Sequence, residues 1–88
     1  MAGQFEKSIQ CYIKAIQRNP DDLLANVALT SAYSQAGLDE DARKSAKNVL
    51  RVDPEFSLKN YSKILLMIKN ESIRQKSLEA LRKAGLPE

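Results

Sequence analysis

The chain reads as all-α, with antiparallel helical hairpins stacked as a short right-handed solenoid of about five helices. Three observations carry that expectation. A Gly/Pro frame recurs at an offset of 34 residues, so that Gly3 and Pro20 are matched by Gly37 and Pro54, with Asn19 or Asp53 before each proline. Two short helices and two turns use up about 34 residues. Apolar residues return at three- and four-residue spacing along most of the chain, and no segment alternates as a strand would. Only three glycines and three prolines interrupt 88 residues, and most of them fall where a helix must turn.

Each element follows from these signals. The first helix spans about Gln4 to Arg18, with Phe5, Ile9, Tyr12, Ile13 and Ile16 on one face. Pro20 lacks an N–H and pushes Asn19 out of the α region, so this helix stops near Arg18. Asp21 and Asp22 then suit the start of a second helix, Asp22 to Gln35, as capping carboxylates at the positive end of its dipole. Ala25, Leu29, Ala32 and Ala36 form its buried stripe, while Leu24, Val27 and Ser31 look out from another side. Gly37 supplies the left-handed turn that a Cβ would resist.

The third helix, about Asp39 to Val52, sets Ala42, Ala46, Val49 and Leu50 toward the core and Arg43, Lys47 and Arg51 toward water. Pro54 ends it. The fourth, about Ser57 to Ile68, is apolar on two sides, with Leu58, Tyr61, Leu65 and Ile68 on one and Ile64 and Met67 on the other. Asn70 is the N-cap of a fifth, which places Ile73, Ser77, Ala80, Leu81 and Ala84 on one face before Gly85 and Pro87. No linker separates these elements, and 1–88 is read as one domain. Within it, 3–20 is the second helix of a truncated repeat, 21–54 a complete repeat, and 55–88 a degenerate repeat or capping pair.

Composition narrows the function classes. The chain contains no histidine, so the usual general base near neutral pH and the usual metal-binding imidazole are missing. Cys11 is the only cysteine, and it has no partner for a zinc site or a disulfide. The glycines punctuate helix ends rather than forming a phosphate-cradling run. We therefore expect no catalytic residues, no metal and no cofactor. The apolar run Ile64 to Ile68 falls far short of the roughly 20 residues that cross a bilayer, and MAGQFEKS lacks a basic-then-apolar leader pattern. A cytoplasmic, non-membrane chain is the expectation.

The residues resemble the tetratricopeptide repeat family. Gly3, Phe5, Ser8, Tyr12, Ala15, Ile16 and Pro20 look like the second helix and exit of one repeat, and Leu29, Tyr33, Gly37, Ala42, Ala46, Leu50 and Pro54 trace a whole one. The chain departs from the pattern at Asn26, where tryptophan is common, at Asp39, where an aromatic is usual, and at Ala46, where a larger aromatic is typical. Residues 57–88 fit poorly, since Glu71 falls where the glycine would recur and Lys76 where a small residue would. The stretch Asp53-Pro54-Glu55-Phe56-Ser57-Leu58 and the ending Leu81-Arg82-Lys83-Ala84-Gly85-Leu86-Pro87-Glu88 resemble the tails of bacterial adenylate or guanylate cyclases that carry such repeats. That likeness implies a fragment from the carboxyl end of a longer protein. Only Met1 and Ala2 precede Gly3, which likewise implies missing upstream helices.

The resemblance implies that the first helices of successive repeats, here the second and fourth, line a groove for a peptide or a helix of a protein partner. Its candidate lining is Leu24, Val27, Ser31, Ser34 and Gln35 facing Leu58, Tyr61, Leu65 and Lys69, mostly apolar with one aromatic anchor. A carboxylate-clamping version is not expected, because Val27, Ala28 and Ser31 supply no cation. The alternative is a homodimer through an exposed face of the first helix, formed by Phe5, Ile9, Tyr12, Ile13 and Ile16. Charge is uneven: residues 1–56 hold 7 basic and 8 acidic side chains, net −1, and 57–88 hold 7 and 3, net +4. The acids Asp39, Glu40 and Asp41 beside the Arg43, Lys47 and Arg51 row, and the lack of an interleaved aromatic platform, argue against nucleic acid.

Overall fold

The computed structural model describes residues 2–65 and 69–87. In chain order it has α1 Ala2–Arg18, α2 Leu23–Gln35, α3 Asp39–Val52, α4 Leu58–Leu65 and α5 Glu71–Lys83, with no strand among the described residues. The expected positions of Met67 and Ile68 on the fourth helix lie outside them.

Local chemistry explains where the helices stop. At both proline turns the residue before the proline accepts a backbone hydrogen bond from three residues on: Asn19 from Asp22 at 3.1 Å and Asp53 from Phe56 at 3.0 Å. Proline's fixed φ suits the second position of such a turn. The Asp22 carboxylate accepts from the Ala25 N–H at 3.2 Å, and the Asn70 side chain accepts from the Ile73 N–H at 3.3 Å. Gly37 and Gly85 stand at φ +82° and +102°. The N–H groups of Gly37 and Leu38 donate back to Ser34 and Tyr33, and those of Gly85 and Leu86 donate back to Arg82 and Leu81. Both α2 and α5 therefore end in the same two-bond, left-handed glycine cap.

Packing makes α2 the centre of the molecule: α1, α3 and α5 all lie against it, and α4 packs on α5. At the end of α3, Arg51 reaches back to the start of α2, donating to the Asp21 carboxylate at 3.2 Å and to the Pro20 carbonyl at 3.3 Å. One core cluster lies between α1 and α2, built on Ile9, Leu29 and Ala32. The larger one gathers Val27, Ala42, Ala46, Val49, Phe56, Leu58, Leu81, Ala84 and Leu86 from α2, α3, α5 and the segments flanking them. A backbone bond from Leu58 N–H to the Pro87 carbonyl at 2.8 Å closes the far end of that cluster.

Three expectations are corrected here. The stripe Phe5, Ile9, Tyr12, Ile13 and Ile16 is not an exposed face: Ile9 is buried, the other four are half-buried, and all pack in the cluster with α2. An amphipathic helix has one apolar stripe, and here α2 covers it. Among the described residues, the broad contact on the far side of α2 is made by α5. Val27, at 1 % exposure, and Leu58, at 2 %, are consequently core residues. Ile73, expected on the inner face of α5, stands 50 % exposed instead, in the first turn of that helix.

A polar knot stiffens the α2–α3 hairpin. The buried hydroxyls of Thr30 and Ser45 lie 2.8 Å apart, and both are within reach of the Asn26 carbonyl, at 2.8 and 3.3 Å. Each hydroxyl has one proton, so one of them donates to that carbonyl and the other donates to its neighbour. The Asn26 amide donates to the Pro20 and Asp22 carbonyls at 3.1 and 2.9 Å. It thereby ties α2 to the turn that precedes it.

Candidate docking site

Among the described residues, part of the inner surface of α2 stays open beside α5 as two hollows that share Tyr61 as a wall. The wider is a cleft of about 250 Å³ lined by Phe5, Ser8 and Tyr12 from α1, Ala28, Ser31, Ala32 and Gln35 from α2, Tyr61 from α4, and Ser77 and Leu81 from α5. The narrower, about 100 Å³, lies at the amino-terminal end of α2 between Leu23, Leu24 and Val27 and the segment Asp53, Glu55, Phe56, Ser57, Asn60 and Tyr61. Drug-sized ligands occupy roughly 300–1,000 Å³. These hollows suit side chains of another polypeptide better than a metabolite.

Tyr61 is positioned by the turn before it. The Ser57 hydroxyl accepts from the Asn60 N–H at 3.2 Å and starts α4. The Phe56 ring then meets the Tyr61 ring at 5.8 Å between centroids, tilted by 45°, a favourable aromatic arrangement. Burial pushes the Tyr61 phenol above the ordinary tyrosine value, and the neighbouring Tyr12 adds to the shift. The phenol is therefore neutral at physiological pH. It brings an apolar ring and one polar tip to the wall between the hollows.

Of the groove residues expected from sequence, Ser31, Gln35 and Tyr61 meet in the wider cleft, and Leu24, Val27 and Tyr61 meet in the narrower. The Gln35 amide donates to the Ser31 hydroxyl at 2.9 Å, which orients both along α2. Ser34 is buried and lines a third, shallower hollow with Phe5, Gln35, Lys76, Glu79, Ala80 and Lys83. Leu58 is in the core and Lys69 is exposed beyond α4; neither lines a described hollow. Leu65 is the last residue of α4, and its side chain is outside the described portion.

The structure also recruits residues that the sequence had assigned elsewhere. Phe5 and Tyr12 were expected on the self-association face but form the α1 wall of the cleft. Their spacing marked them as apolar-face residues, and no local signal says that the edge of such a stripe will border a groove. Phe56 was named only within the stretch that resembles cyclase tails, yet it forms a wall of the narrow hollow. Its place two residues beyond Pro54 was the available signal.

Among the described residues no group of His, Cys, Asp and Glu could hold a metal ion, and no helix is long and apolar enough to cross a membrane. No family profile matches the chain, and no solved structure matches it. The chain is 30% identical over 82 residues to the small glutamine-rich tetratricopeptide repeat-containing protein 2 of Mycosarcoma maydis. The match spans 93% of this chain and 23% of that longer protein. The 34-residue frame and this similarity together support a relationship to tetratricopeptide repeat proteins.

Proposed function

We propose that the chain is a protein-interaction module of the tetratricopeptide type, which docks an extended segment or an amphipathic helix of a partner along the open strip of α2. The observation that carries this reading is the cleft in which Tyr12 and Tyr61 flank α2, with Ser31 and Gln35 on its floor. Two amphipathic rings beside a small-residue floor offer large contact area at low entropic cost, and polar tips for register. Residues 21–54 are then one complete repeat and 55–88 a divergent pair that closes the stack. The likeness of the ending to nucleotide cyclase tails makes such an enzyme the first parent in which to seek an assembly or regulatory role.

The test is selection of peptides on the immobilised chain, followed by mapping of the bound peptide by amide chemical shifts. The largest shifts are expected at Ser31, Gln35, Tyr61 and Ser77, and Tyr61→Ala should weaken binding by about 30-fold, as for an interface anchor of roughly 2 kcal/mol. Shifts confined to the outer face of α3, or unchanged affinity in a folded Tyr61→Ala variant, would overturn the reading.

A further inference from the structure

We infer that the narrow hollow at the start of α2 takes an apolar side chain carried on a basic segment of the partner. This rests on the docking role proposed above and adds the chemistry of what docks.

The hollow has an apolar interior and an acidic lip. Leu23, Val27, Phe56 and Tyr61 form its walls, and Leu24 stands 57 % exposed at its edge. A large aliphatic side chain half in water beside an unfilled apolar hollow gains by contact with a second apolar group. At about 100 Å³ the space suits one side chain. The charged residues in its described lining, Asp53 and Glu55, are both acidic, although the whole chain carries a net charge of +3. The phenol of Tyr61, held neutral, adds no charge there.

At this hollow, local charge therefore opposes the net charge of the chain. A partner whose apolar residue is flanked by lysine or arginine meets favourable potential on approach, and one flanked by acids is repelled. Both carboxylates are solvent-accessible, so the effect lies in selection and approach more than in tightness, and salt weakens it.

Fluorescence anisotropy with two short labelled peptides tests this, one with a central leucine between lysine pairs and one with the same leucine between glutamate pairs. The informative variants are Glu55→Lys and Leu24→Ser, both at exposed positions where the fold should persist. Asp53 is left intact because its carboxylate accepts from the Glu55 N–H at 3.2 Å and shapes the turn. The lysine-flanked peptide should bind the unaltered chain more tightly than the glutamate-flanked one. Glu55→Lys should weaken it roughly three- to tenfold, the span expected when one accessible charge contact is reversed. Leu24→Ser should weaken both peptides.

Equal affinity for the two peptides, or no effect of Glu55→Lys, overturns the inference. If Tyr61→Ala still weakens binding in that case, the docking role stands and only its charge preference falls. Failure of the lysine-flanked peptide to bind the unaltered chain also overturns it. So does sedimentation showing self-association that the peptide cannot displace, since a second copy would then own the hollow.

Discussion

Helices α2 and α5 follow one local plan. Each begins on a side chain that accepts the third helical N–H, from Asp22 and Asn70, and each ends on a left-handed glycine, Gly37 and Gly85, fifteen residues later in both cases. Their burial differs sharply. Eight side chains of α2 are buried, among them Asn26, Thr30, Ser31 and Ser34, whereas α5 buries Ala80 and Leu81. The caps decide that a helix forms and how long it is. How much of it leaves water depends on the neighbours that arrive: α1, α3 and α5 lie against α2, whereas α5 meets α2 and, less extensively, α4. The open strip exists because α5 covers only part of what α2 offers on its third side.

That contrast predicts an order of effects. The largest belongs to Leu81, fully buried where α5 meets α2. Leu81→Ala should cost about 2–5 kcal/mol, read by denaturant unfolding, and α5 amides should lose hydrogen-exchange protection before those of α2 and α3. Equal loss in all three helices would mean that α5 and the hairpin open as one unit.

A smaller effect is expected inside the hairpin. Thr30→Val removes one hydroxyl from the buried knot and should cost about 1–2 kcal/mol in the same measurement, because Ser45 can still donate to the Asn26 carbonyl. A neutral outcome would show that packing alone holds α2 against α3.

The smallest effect separates the two regions by titration. Burial, then the Asp41 carboxylate, raise the Tyr33 phenol above its ordinary 10.0, and burial, then Tyr12, raise that of Tyr61. A folded pKa above the unfolded one means that the native state holds the proton more tightly. The associated stability is thus present below about pH 10 and is lost as pH rises through the folded values. Ultraviolet difference titration should find both phenols ionising later than in the unfolded chain. A smaller Tyr61 shift in Tyr12→Phe, with Tyr33 unmoved, would tie the lesser part of the shift to the cleft.

Much of the fold was legible in the residues. The Pro20 and Pro54 turns, the Gly37 and Gly85 stops, the Asp22 and Asn70 caps and the Ala42, Ala46 and Val49 stripe all stand where expected. The site was less so. Tyr61, expected from sequence as the aromatic anchor of a groove, lines both hollows. Val27 and Leu58 were read as open and are covered, because an apolar side chain on a second helix face looks the same whether a ligand or another helix will meet it. Asn26 was noticed only as a departure from the repeat pattern. Its role emerges from its side-chain amide, which gives the Pro20 and Asp22 carbonyls a further donor and ties α2 to the turn before it.

Helix identity, length, turns and caps came from residues alone, since each of those choices is settled by groups within a few positions along the chain. Which helix lies against the far side of α2, and so which strip remains open, came only with the tertiary arrangement. α4 and α5 both present apolar faces, and the choice between them is set by how Leu81, Ala84 and Leu86 fill the space around Val27 and Val49. That is a property of packing among distant residues, and no local spacing encodes it.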